Sequence, residues 1–149
     1  MTNALAERFF DIDLWLVGVG HFVILFASFQ VPHRLGWETD LKLLTPFNHK
    51  FVWVQSGFTV LTIIAFGTLT LVLHVELLRG DRAALGLACF IGLYWTTRIL
   101  VDALYFSHKD WPKGPLFALG HVLLTSLFSV LAASYLGLCL WHIWGKPGR

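Results

Sequence analysis

The sequence predicts an all-α protein: a polytopic membrane bundle of four transmembrane helices with both termini on the same side. Three observations predict it. The 149 residues are 56% hydrophobic and 13% charged, where soluble domains carry roughly 25% charge. Four apolar runs, 14–31, 51–73, 83–106 and 116–141, come close to or exceed the ~20 residues that cross a bilayer at 1.5 Å rise. Run 51–73 has no charged residue on any face, whereas a soluble helix keeps one polar face. Residues 1–149 therefore read as a single transmembrane domain with an interfacial loop at 32–50.

The first span follows an N-terminus with one basic residue, Arg8, and the acidic Glu7, Asp11 and Asp13. A cleavable signal has a basic start and a small-residue cleavage site, so this span is expected to be retained. In the loop, Trp37, Leu41 and Leu44 recur at helical spacing, which fits a short interfacial helix or an irregular loop equally well. Thr45-Pro46 reads as an N-cap followed by proline in the first turn, so the second helix should start ahead of its apolar run. Gly80 after Arg79 reads as a C-cap. Asp110 through Pro115 reads as a tight turn that restarts the fourth helix at its prolines.

Call the side of the N-terminus X and the other side Y. Basic residues divide evenly: Arg8, Arg79, Arg82, Lys146 and Arg149 on X; Arg34, Lys42, Lys50, Lys109 and Lys113 on Y. The positive-inside rule is not decided by that count. Arg79 and Arg82, crowded into a very short loop, favour X as cytoplasmic, in a multi-pass protein of the cell (inner) membrane. Trp15, Trp37, Trp53, Trp111, Trp141 and Trp144 fall at or near span ends, as an aromatic belt does. Only Trp95 is central.

Arg98 and Asp102 stand four residues apart inside the third span. A charge in hydrocarbon costs at least ~2.5–3.5 kcal/mol on insertion scales, so it pairs, faces the bundle interior and often marks function. Tyr94, Arg98, Asp102 and Tyr105 share one helix face. So do Gln55, Thr59 and Thr62; His121, Thr125 and Ser129; and His21 and Ser28. These stripes lie between the midplane and side Y, and are expected to converge there into a buried polar site. Arg98 and Asp102 serve a ligand or form an i,i+4 ion pair that holds helix register. Ser129, Ala133 and Gly137 form a small-residue stripe suited to close helix approach.

The expected cofactor-binding residues are His21, Gln55, Tyr94, Trp95, Arg98, Asp102 and His121, holding haem b or a quinone, with His21 and His121 as candidate haem-iron ligands. Two further pairs, His74 with His142 and His49 with His108, share a depth suited to a bis-His haem, a match that seven histidines on four helices also produce by chance, and His74-Val75-Glu76 is discounted as a metal pattern because no HExxH or CxxC stands beside it. No catalytic residues are assigned. Phosphate-loop, nucleotide-binding and nucleophile-elbow motifs are missing, and a net charge of +2 without a basic run excludes a nucleic-acid footprint. Cys89 and Cys139 fall on the same half of the bilayer, but ~9 Å apart in depth. A disulfide needs Cα atoms within ~7 Å, so two inert buried thiols are expected.

His21 followed by Pro32-His33-Arg34-Leu35 resembles four-helix haem-linked protoporphyrinogen oxidases, in which a first-helix His precedes a Pro-Arg-Leu element. The resemblance covers some 20 residues, and a His here interrupts Pro and Arg. The later helices have no counterpart.

Three functions fit the residues. One is a cofactor or amphiphile holder in electron transfer. Another is a non-catalytic accessory subunit of a larger membrane complex. The last is a small transporter or proton-conducting oligomer. Expected partners are the lipid bilayer and other membrane subunits or further copies of the chain.

Overall fold

A computed structural model describes residues 2–106 and 114–145. Among them every regular element is helical, and four helices are long and apolar enough to cross a membrane. The elements are α1 (Thr2–Ser28), α2 (Val31–Arg34), α3 (Trp37–Asp40), a 3-10 turn (Leu41–Leu43), α4 (Pro46–Val72), α5 (His74–Arg79), α6 (Arg82–Tyr105) and α7 (Pro115–Leu140). A π-helical turn, Trp141–Gly145, follows α7. His108, Lys109, Trp111, Lys113, Lys146 and Arg149 lie outside the described residues, as does most of the expected turn at 110–115.

Local chemistry sets the helix ends. The Thr45 hydroxyl accepts from the Asn48 N–H at 3.4 Å, with Pro46 in the first turn, so α4 starts five residues ahead of its apolar run, as expected. Gly80 sits at φ 81°, the left-handed conformation of a C-cap. Pro115 opens α7. The 32–50 loop is neither one helix nor irregular. Gly36 at φ 67° divides it into short helical turns, and Trp37 folds back edge-on against Trp53 at 6.0 Å.

The first helix differs from expectation at its start, beginning at Thr2, well ahead of residue 14. Two of its acidic residues tie α1 to distant segments. Asp13 Oδ1 accepts from the Ser134 hydroxyl at 3.0 Å, and Asp11 meets His74 Nε2 at 3.3 Å.

Neighbours run α4, α1, α7, α6 around the bundle. Phe66 closes the ring from α4 to α6 with edge contacts to Phe90 and Tyr94 at 6.0 and 5.1 Å. Phe10 stacks on Trp141 at 5.1 Å, so both ends of the described chain lie at the same end of the bundle. The α1–α4 approach is tight at Gly67, where an added Cβ would sit 3.0 Å from the His21 Cβ and 3.1 Å from the Gly18 carbonyl oxygen. The predicted small-residue stripe is not a packing seam: Ser129 and Ala133 are exposed and a Cβ on Gly137 would meet nothing within 4 Å.

The core occupies one half. In α4 the buried residues are Ile63, Phe66, Gly67 and Thr70. In α6 they stop at Trp95, and in α7 they begin at Leu131. These are the X halves of all three helices. Among the described residues the Y halves of α4, α6 and α7 bury nothing, so the bundle is packed at one end and open at the other.

The thiols also depart from expectation. Cys89 Sγ and Cys139 Sγ lie 2.7 Å apart. Depth counted from the middle of each apolar run misses this, because α6 and α7 take their register from Gly92, against which Leu136 packs. Side chains of antiparallel neighbours also lean toward each other along the bundle axis.

Candidate functional site

His21 is wholly buried on α1. Its Nε2 lies 3.1 Å from the Trp95 indole nitrogen and its Nδ1 2.7 Å from the Val17 carbonyl. An indole N–H only donates, so Nε2 accepts and Nδ1–H donates to Val17. Both ring nitrogens are thereby engaged. Phe66 and Tyr135 meet the imidazole edge-on at 6.1 and 5.9 Å. The Tyr135 hydroxyl bonds Thr70 Oγ1 at 2.5 Å, and Thr70 donates on to the Phe66 carbonyl at 2.7 Å only if Tyr135 is the donor in the first bond. This sealed polar core spans α1, α4, α6 and α7.

Two helical turns toward Y, Asp102 Oδ2 faces His121 Nε2 at 3.3 Å, linking α6 to α7, with both side chains about one quarter exposed. Thr125 Oγ1 stands 3.4 Å from the same nitrogen. Asp102 therefore pairs across helices. Among the described residues Arg98 forms no ion pair, with Asp102 or otherwise, and it is exposed. It lines a groove of about 470 Å³ along the outer face of α6 with Phe90, Leu93, Tyr94, Thr97 and Val101.

The structure thus brings together three subsets of the predicted site: His21 with Trp95, Asp102 with His121, and Tyr94 with Arg98. Tyr94 also touches Trp95, rings perpendicular at 5.3 Å. It does not gather all seven residues. Gln55 is exposed on the open half of α4. His21 and His121 stand at levels that differ by roughly 10 Å, the rise from Trp95 to Asp102.

Beyond Asp102 and His121 the polar stripes do not meet, for a physical reason. Thr59, Thr62, Ser28 and Ser129 each donate to the carbonyl four residues back on their own helix. A hydroxyl satisfied in that way needs no partner on a neighbouring helix.

Three further histidines, His49, His74 and His142, have local or separate partners. Trp53 donates to His49 at 3.3 Å. His74 meets Asp11, while His142 Nε2 contacts the Leu77 carbonyl at 3.2 Å and its ring packs over Gly80. Among the described residues no three of His, Cys, Asp and Glu gather as for a metal ion.

Sequence reasoning missed Tyr135, Thr70 and the Asp13–Ser134 bond. Asp13 Oδ2 is buried and has no hydrogen-bond partner among the described residues. The signal available was Tyr135 inside an apolar run, beside a serine and level with an acidic residue of the first helix. Comparison with protein families, curated proteins and solved structures returns no match for this chain.

Proposed function

We propose that this chain is an integral membrane protein of the inner membrane that holds an amphiphile with an oxygen-bearing head, a quinone fitting best, in the α6 groove. The observation that carries the reading is Arg98. It is a cation on an apolar face, without a protein partner among the described residues. In hydrocarbon its charge costs at least ~2.5 kcal/mol unless something neutralises or solvates it. The groove is a shallow one, lined by α6 alone and open along the outer face of the helix. Its lining of Phe90, Leu93, Tyr94 and Val101 suits an isoprenoid or acyl chain, and the guanidinium supplies donors for a carbonyl or anionic oxygen.

Asp102 lies one turn beyond Arg98, and its contact with His121 would stand near the head of a molecule held there. Haem ligated by His21 and His121 is less well supported, because both His21 nitrogens are engaged and the two levels differ. Both termini are taken to face the cytoplasm, with Arg79 and Arg82 flanking the short turn on that side.

A second reading, an accessory subunit, is favoured by the outward Ser129–Ala133–Gly137 stripe, which suits a helix of another subunit. The first reading is tested by titrating decylubiquinone into detergent-solubilised protein. Loss of a charge-assisted bond is worth ~1.5–3 kcal/mol, so Arg98→Gln should weaken binding at least about tenfold. Equal affinity of wild type and variant would refute it.

A further inference from the structure

We propose that Cys89 and Cys139 form an oxidisable dithiol that closes into an intramolecular disulfide and staples α6 to α7. The pair stands apart from the Arg98 groove and does not depend on its occupant. The two sulfurs are 2.7 Å apart, against about 2.05 Å in a disulfide, so closing the bond asks for a movement of less than about 0.7 Å. Both cysteines are free, and they sit on neighbouring helices, within the half where α6 and α7 bury their residues.

A metal is the poorer fit. Zn²⁺ at about 2.3 Å from each sulfur holds two thiolates ~3.7 Å apart, and these sulfurs are already in contact. Cys139 is buried, whereas Cys89 is partly exposed on the outer surface. An apolar oxidant therefore reaches Cys89 first.

In the step, each thiol gives up its proton and one S–S bond forms. Two electrons and two protons pass to an apolar two-electron acceptor of the quinone or azo class, which leaves as hydroquinone or hydrazine. The bond joins positions 50 apart in sequence. It fixes α6 to α7 within the packed half and leaves the Asp102–His121 end unconstrained.

The test uses the full chain, purified in detergent with reductant and desalted. It is treated with diamide or duroquinone, whose fully substituted ring resists thiol addition, then denatured and labelled with a maleimide-polyethylene glycol. The expected result is two labels before oxidation, none after either oxidant and two again after dithiothreitol, with the chain monomeric on a non-reducing gel. Linked peptides containing Cys89 and Cys139 should be two mass units lighter than the reduced pair. Cys89→Ser should carry one label before and after. Retention of both labels after both oxidants, or disulfides only between chains, would overturn the proposal, as would loss of the single label in the variant.

Discussion

At the scale of single residues, the His21–Trp95 hydrogen bond is the most consequential polar contact of the core. Both groups are almost wholly buried. Trp95→Phe removes the donor, leaves Nε2 facing apolar atoms and opens a void. An orphaned buried acceptor costs ~1–3 kcal/mol, so thermal unfolding in detergent should show a clear loss of stability. His21→Leu combined with Trp95→Phe should cost less than the sum of the two single changes, because the double variant leaves neither group unpaired. Additive losses would show that the bond contributes little.

At the scale of elements, the α1–α4 seam depends on close backbone approach, and two glycines of one helix test it. Gly67→Ala places a methyl against the Gly18 carbonyl and the His21 Cβ. Overpacking of this kind costs ~1–3 kcal/mol. Gly57→Ala meets nothing within 4 Å and should gain up to ~1 kcal/mol from helix propensity. Melting temperatures that move in opposite directions support the seam, and parallel shifts would contradict it.

The elements also show what the sequence made legible. Apolar run length, Thr45-Pro46 and Gly80 located α4 and the ends around it, because caps and hydropathy are local. The start of α1 was hidden because Asp11 and Asp13 find partners on α5 and α7, which no local pattern records. Of the site, Trp95 and the Asp102–His121 level were legible from depth. That Asp102 meets His121 and not Arg98 was not legible, since spacing on one helix says nothing of a nearer partner on another. Nor was the Cys89–Cys139 contact, which depends on how α6 and α7 are registered.

At the scale of the whole molecule, the division into a packed half and an open half sets where the bundle is most stable. Local opening follows contact density, so amides at 131–139 of α7 should exchange hydrogen more slowly than those at 116–126 in detergent. Uniform protection along α7 would contradict an open Y half. On the proposed reading, that openness would let a lipid-borne molecule reach α6 sideways and set its head against Arg98.

Photoaffinity labelling tests this claim most directly. An azidoquinone irradiated with the protein in lipid nanodiscs should attach to peptides spanning 90–101. Excess decylubiquinone should abolish the labelling, and Arg98→Gln should strongly reduce it. Labelling spread evenly over all four long helices, or untouched by the competitor, would contradict the account.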